Sequence, residues 1–469
     1  MAVRLMESLA TTAPLAELFS DESILRAMLD FEAALARVEG RLGVIPRSAA
    51  STISNVARAT ELDEAAIANI SNEARRSGTP AIPFVRTFTK CVREQNKAAA
   101  GFVHWGATSQ DLCDTALVLL LQKSQSILES DLRRLERALQ RLSQQHRGTV
   151  MLGRTLLQAA PPVTFGLKAA GWFGAVSRGH QRLNAAFDGC LMLQFGGACG
   201  TLAALGKDGP RIAQALASEL KLRCPEAPWH THRDRLASFI CACGVLTGSL
   251  GKMARDILLL SQNEVAEVAE PGGDGHGGSS TMPHKRNPVG SVLALAAAQR
   301  VPALVSSFLS AMVQEHERAA GGWQAEWPIV SSIVQSTGLA IACMAEVAEG
   351  LTVDKERMRA NIEATRGIIF AERASLLLGK KIGRDRAHKL IEQASSKSAV
   401  SGLRLSDALA EMPEIAQHLM AAELRDLDNP AHYLGAAEDF RKALLSSSRP
   451  ANPASGRQSR RKSAGKKKR

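Results

Sequence analysis

Aromatic residues make up 4% of this 469-residue chain, and tyrosine occurs once. Alternating apolar–polar stretches are also scarce, which argues against an architecture built on strands. The eight cysteines, at positions 91, 113, 190, 199, 224, 241, 243 and 343, contain no C-x-x-C pair. Several fall in apolar helical stretches, where a free thiol behaves as a small hydrophobe. No apolar run approaches the ~18 residues needed to cross a bilayer. Residues 1–20 carry Glu7 and no continuous apolar core, so no signal peptide is expected. A reduced, cytoplasmic protein without a membrane segment is the expectation. The chain also lacks a G-x-x-x-x-G-K-[S/T] phosphate loop, and His230-x-His232 lacks two further ligands at metal-binding spacing. Neither a metal nor an organic cofactor is expected.

What is present in excess is positive charge: 58 Lys and Arg face 46 Asp and Glu, a formal charge of +12. Nine of the basic residues lie between Arg449 and Arg469, where no acidic residue occurs, so the rest of the chain carries only +3. That terminal segment has no apolar residue larger than alanine and cannot bury enough surface to offset its ordering entropy. Residues 446–469 therefore read as a disordered basic tail. Weak, salt-sensitive nucleic-acid binding by the tail, with no catalysis, is one function class kept open; a solubilising extension is the other reading.

The periodicity of the body is helical. Ile24, Met28, Phe31, Leu35, Val38 and Leu42 recur at spacings of four and three, Gly43 follows as a cap and Pro46 ends the segment. From Ala107 to Arg147 there is neither Gly nor Pro, and Leu128, Leu132, Leu135, Leu139 and Leu142 repeat the stripe. At ~1.5 Å per residue this predicts a helix longer than 45 Å. Further helices are expected around 235–268, 289–316 and 329–349. The fold class is all-α, and helices of such length need partners, which points to an oligomer. A plain coiled-coil scaffold is the alternative that periodicity alone leaves.

Three polar segments interrupt the helices. His104-Trp105-Gly106-Ala107-Thr108-Ser109-Gln110-Asp111 precedes the long helix. Thr108 and Ser109 suit an N-cap, and the same free N–H groups and hydroxyls suit a carboxylate. The second segment runs from Gly153 to Gly166, with Arg154, Thr155 and Gln158 among apolar neighbours, and reads as a loop-to-helix junction. The third, Gly277 to Pro288, follows a stretch in which five of the eight positions 271–278 are glycine. It carries two serines, Lys285 and Asn287, as a lid over an active site would. Gly273-x-Gly275-x-x-Gly278 matches a dinucleotide fingerprint but has no βαβ unit around it. A Ser-Ser-Lys amidase reading fails because Thr281-Met282-Pro283 stands where such a loop needs glycines.

Gly278-Ser279-Ser280-Thr281-Met282-Pro283-His284-Lys285-Arg286-Asn287-Pro288 resembles the signature loop G-S-S-x-M-P-x-K-x-N-P of the fumarase/aspartase superfamily. Thr108–Asp111 and Arg154–Gly166 resemble its other two signature regions, in the same order. Within the superfamily, Trp229-His230-Thr231-His232-Arg233-Asp234-Arg235, Phe165–Trp172 and Gly321–Trp327 are similar to the bacterial 3-carboxy-cis,cis-muconate cycloisomerases. The resemblance spans residues 10–445. It implies three helical domains (1–110, a central long-helix bundle over 111–360, and 361–445) and a homotetramer whose active sites gather the three segments from different subunits.

It also implies chemistry through a carbanion beside a carboxylate, stabilised as an enediolate, in lactonisation of a tricarboxylate from protocatechuate catabolism. Ser279 matches the loop serine that handles the carbon-bound proton, and Lys285 joins it as a catalytic residue. Thr108, Ser109, Asn287, Arg154, Gln158, His104, His230, Arg233 and Arg235 are the expected substrate-binding residues. Each arginine has a structural ion pair as its alternative. Many superfamily members carry His after the Arg-Thr of the second segment, where this chain has Leu156. That His serves amine or hydroxyl leaving groups. The carboxylate that adds in lactonisation is already ionised, with a reference pKa near ~4, and needs no base. Leu156 therefore disfavours an adenylosuccinate- or argininosuccinate-type lyase, and His146 is a possible replacement acid or base.

Overall fold

The computed structural model describes residues 5–272, 277–278, 281–282 and 284–446, so Ser279 and the basic tail lie outside the described residues. The chain divides into two compact units, Met1–Leu139 with Gly179–Arg357, and Gln140–Arg178 with Met358–Arg469. Residue 110, expected as a domain boundary, falls inside the first unit.

In the first unit, α1 (Asp21–Leu42) starts where the Ser20 side chain accepts from the Ser23 N–H at 3.2 Å. It ends at Gly43, whose φ of 77° only glycine adopts without strain. Its apolar stripe, from Leu25 through Val38, is buried against α2 (Arg47–Ala59). The uninterrupted run after Ala107 forms α3 (Ser109–Gln145), whose 37 residues span about 55 Å. Leu128, Leu132, Leu135, Leu139 and Leu142 are all buried along it. Each such leucine contributes ~1.5–3 kcal/mol relative to an exposed one.

Residues Phe165–Cys190 form α4. Three long helices, α5 (Asp234–Leu260), α6 (Val289–Ala311) and α7 (Gly322–Gly350), pack on one another. Pro302 lies inside α6, within the helix expected over 289–316, whereas α7 starts seven residues before the expected Ile329, with Pro328 within it. The same three helices correct the reading on apolar runs, since each is long and apolar enough by length and composition to cross a membrane. Leu, Val, Ile and Ala supply this apolar character, and the Gly, Ser and Thr between them keep the large side chains from forming a continuous run. α5 and α7 bury most of their apolar stretch inside the unit, whereas 22% of that of α6 is buried. A short pairing of β3 (Val268–Ala269) with β4 (Thr352–Val353) fixes the chain just before the glycine-rich segment.

The second unit contains the clearest departure from expectation. The segment read as a loop-to-helix junction is a hairpin of β1 (Val150–Thr155) and β2 (Gln158–Thr164), pairing Thr155 with Gln158 and Arg154 with Ala159. The two turn residues, Leu156 and Leu157, both have positive φ, 50° and 65°. A two-residue turn of this kind is signalled by Asn-Gly or Asp-Gly, and Leu-Leu hides it. Pro161 and Pro162 on β2 and a register irregularity between Met151 and Gly153 obscure the alternation as well. Gly153 is required there, because a Cβ would lie 2.2 Å from the Pro161 carbonyl oxygen. The rest of the unit is helical, with a core of Leu378, Leu390, Leu405, Leu409 and Ile415 among others.

Candidate active site

The site is built around the first turns of α3. Asp111 is fully buried, and four donors surround its carboxylate. Oδ1 accepts from the Gly196 N–H at 2.9 Å and faces His230 Nε2 at 2.8 Å. Oδ2 accepts from the Thr108 N–H at 3.1 Å and the Gly197 N–H at 2.9 Å. The charge-assisted set ties three distant pieces of chain to one carboxylate. Thr108 is fixed by half of a capping box, with Asp111 as the acceptor. Gly196 and Gly197 fit because a Cβ on Gly196 would meet Pro228 and His230 at 2.7–2.8 Å and because Gly197 has φ 66°.

One turn further, Asp114 anchors a second network. Arg233 donates to both its oxygens, at 2.7 and 3.1 Å, and the Trp323 indole N–H donates at 3.0 Å. Gln110 donates to Asp114 at 3.1 Å and to the His230 carbonyl at 2.7 Å, which couples the two networks. Arg233 also binds Glu326, with Nη2–Oε2 at 2.6 Å and Nε–Oε2 at 3.0 Å, and lies 4.8 Å from the Trp229 ring centroid. Gln314 donates to Glu326 at 2.8 Å. Burial works against the Arg233 charge, but the Asp114 and Glu326 carboxylates outweigh it and raise its pKa. Burial raises the Glu326 carboxyl against the lowering effect of Arg233. Arg233 is 1% exposed with Nε and both Nη atoms engaged, so of the two roles open to it the structure places it in the ion pair.

His104 enters the same cluster from the preceding turn, with φ 59°. Both oxygens of buried Glu32 on α1 hold it, Oε2 accepting from its backbone N–H at 3.0 Å and Oε1 lying 2.5 Å from Nδ1. Burial opposes the imidazolium, but the charge and hydrogen bond of Glu32 and the charge of Asp111 raise its pKa overall. Arg318 closes one edge by donating to the carbonyl of Ala198 at 2.9 Å.

His104, Thr108, Ser109, His230 and Arg233 thus gather at one end of α3. Arg235 instead pairs with exposed Glu226 at 2.9 Å and touches the Met192 sulfur at 3.5 Å. The glycine-rich loop is a separate part of the first unit. Glu270 accepts from the Gly290 and Ser291 N–H groups at 3.0 and 2.9 Å and so caps α6. The Asn287 N–H donates to the Gly277 carbonyl at 2.8 Å. Gly277 has φ 67°, and a Cβ there would lie 2.3 Å from the Asn287 oxygen. Lys285 is exposed in this loop. Arg154 and Gln158 belong to the hairpin of the second unit, where Arg154 Nη1 donates to the Leu152 carbonyl at 3.3 Å and Gln158 is exposed. His146, also in that unit, bonds Thr149 Oγ1 through Nδ1 at 3.1 Å.

Sequence reasoning missed Glu32, Asp111, Asp114, Glu326 and Arg318 as builders of the site. A signal existed for two of them. Asp111 and Asp114 stand three apart at the start of an apolar helix, where acidic side chains need partners. Glu32 and Glu326 lie in helices with no local mark of burial. Among the described residues no group of three or more His, Cys, Asp or Glu could hold a metal ion.

Comparison with known proteins gives the family of the chain. Residues 7–303 match the family described as Lyase, and 367–444 match that described as Adenylosuccinate lyase C-terminus. The chain is 45% identical to 3-carboxy-cis,cis-muconate cycloisomerase of Bradyrhizobium diazoefficiens, covering 94% of this chain and 98% of the relative. It is 46% identical to the enzyme of that name from Pseudomonas aeruginosa, covering 95% and 96%. The crystal structure of 3-carboxy-cis,cis-muconate lactonizing enzyme from Pseudomonas putida superposes with a TM-score of 0.89 at 43% identity, covering 95% of this chain and 99% of that one. The chain belongs to the fumarase/aspartase superfamily, in the group that contains the bacterial 3-carboxy-cis,cis-muconate cycloisomerases.

Proposed function

We propose that this protein cycloisomerises 3-carboxy-cis,cis-muconate to a carboxymuconolactone in protocatechuate catabolism. The observation that carries the reading is identity of 45–46% with cycloisomerases over 94–95% of the chain. The network at the start of α3 is consistent with it, because it presents the Thr108–Ser109 turn and His104 as a rigid donor set for a carboxylate.

In the reaction, one substrate carboxylate oxygen adds to a carbon of the diene, forming the lactone C–O bond. The electron pair released moves onto the neighbouring carboxyl group as an enediolate. Ser279 delivers a proton to carbon as general acid, and Lys285 with Asn287 stabilises the doubly charged carboxyl. Thr108, Ser109 and His104 bind a second carboxylate, and Arg154 and Gln158 contact substrate from the hairpin of a different subunit. His230 positions the Thr108 turn through Asp111. Arg235, paired with Glu226, has the weakest geometric case for a substrate contact.

We further propose a homotetramer, because Val289, Val292 and Leu309 on α6 and Val245 on α5 are each 40–51% exposed. Sedimentation at several concentrations tests this. Turnover is read as loss of the conjugated-diene absorbance. Ser279→Ala should lower kcat by about 10²–10⁴-fold without changing far-UV circular dichroism. No reaction of the wild-type protein with 3-carboxymuconate, together with turnover of adenylosuccinate, would replace this reading with the lyase one. Deleting 449–469 should leave activity intact; loss of activity would give the tail a role that this reading lacks.

A further inference from the structure

We propose that Glu32, a buried residue of α1 outside every signature segment, is a positioning residue for the reaction, holding His104 so that Nε2 presents a donor to a substrate carboxylate. This rests on the proposed cycloisomerase reading and adds a residue to it.

Three observations carry the inference. The first is the double use of one carboxylate on one residue. Glu32 accepts from the His104 backbone N–H at 3.0 Å through Oε2 and binds Nδ1 at 2.5 Å through Oε1. That geometry determines both the ring plane and which nitrogen faces the protein. Nε2 has no hydrogen bond to any described residue, and the side chain is 16% exposed.

The second is the backbone. His104 has φ 59°, an uncommon conformation for histidine, which the Glu32 bond to its own N–H helps to hold. The chain turns there into Gly106, whose carbonyl packs against Gly197 on the loop clasped by Asp111. A shift at residue 104 would therefore reach the Thr108 turn.

The third is the electrostatic setting. Glu32 is 1% exposed, and its charge needs the imidazolium as partner. The charged groups facing His104 are Glu32 from α1 and Asp111 from α3, both of which favour the protonated ring. Glu39, further along α1, faces Glu32 and is itself pushed up to about 9 by burial and by that neighbour, so it is a neutral acid at pH 7. Glu39 thus adds no second charge beside Glu32, and the Glu32 contact favours the protonated ring of His104. A cationic Nε2–H suits a tricarboxylate far better than a neutral ring nitrogen.

Glu32→Gln keeps the length but loses the charge and one acceptor, and Glu32→Asp keeps the charge. Loss of activity in the wild type at high pH should track deprotonation of His104. In Glu32→Gln, kcat/KM for 3-carboxymuconate should fall about 10²-fold, mostly through KM, and the alkaline limb of its pH profile should move to lower pH. Glu32→Asp should restore the position of that limb. Carbethoxylation of His104 by diethyl pyrocarbonate, followed by peptide mass spectrometry across a pH series, reads the same titration without turnover. Its midpoint should fall in Glu32→Gln. An inactive wild type would refute the cycloisomerase reading alone, since the carbethoxylation midpoint still decides the Glu32–His104 pairing. An unchanged midpoint in folded Glu32→Gln, or an unchanged KM and pH profile in an active one, would overturn the proposal.

Discussion

Replacing Arg233 with methionine probes a fully buried charge cluster. Arg233 is 1% exposed and stands between Asp114 and Glu326, which are equally buried. Methionine fills much of the volume but leaves both carboxylates without their cation. Removing one partner of a buried pair typically costs ~3–5 kcal/mol. Gln110 and Trp323 still donate to Asp114, and Gln314 to Glu326, so a loss of about 3 kcal/mol, at the lower end, is expected. That is a large share of the ~5–15 kcal/mol that holds a typical domain folded. The loss should depend on pH. Without the guanidinium, the main group that lowers the Glu326 carboxyl against burial is gone, so the folded state binds more protons than the unfolded one. The deficit therefore shrinks as pH falls toward the carboxyl range and grows as pH rises. Adding Glu326→Gln to Arg233→Met should recover about 1 kcal/mol or more by removing one uncompensated charge. Urea unfolding followed by tryptophan fluorescence, with Trp229 and Trp323 beside the site, and by far-UV circular dichroism measures each value. A loss under about 1 kcal/mol, or one independent of pH, would refute the assignment of Arg233 as a structural clamp.

Two further perturbations test the fold at places where local rules are broken. Both carboxyl oxygens of Glu39 are buried without a hydrogen-bond partner, and its pKa is raised from 4.5 to about 9. A raised carboxyl contributes full stability below its unfolded value and loses it as pH rises toward the folded one, at up to ~1.4 kcal/mol per pH unit. Glu39→Gln should therefore gain on the wild type as pH rises from 4.5 to about 9 in urea unfolding, and parallel curves would refute the shift. In the hairpin, Leu156→Asn with Leu157→Gly places residues that accept positive φ at both turn positions. Thermal unfolding should show a gain of about 1–2 kcal/mol, and no gain would mean that the turn is not strained.

Much of the fold was legible because helices declare themselves over short range. The spacing of Ile24 to Leu42 and of Leu128 to Leu142 predicted α1 and the stripe of α3, and Gly43 marked the stop. The hairpin was not legible, since its turn uses Leu-Leu and its second strand carries two prolines. Pro328 likewise read as a boundary and proved to be helix-internal. Of the cluster at the start of α3, His104, Thr108 and His230 were singled out from their segments. The groups that orient them, Glu32 on α1 and Asp111 on α3, came from the structure, because each is ordinary in its own helix.

By itself the sequence determined the helical class, the separation of a nearly neutral body from a basic tail, and the signature segments that mark the superfamily. These are properties of composition, periodicity and short motifs, all read within about a dozen residues. Tertiary structure decided what each charge does. Glu32 and His104 are 72 positions apart, and Asp111 and His230 are 119 apart. Arg233 became a buried clamp and Arg235 the partner of an exposed glutamate, although the two are neighbours on one strand of sequence. A charged side chain takes its role from the dielectric and the partners around it, and long-range packing alone sets both.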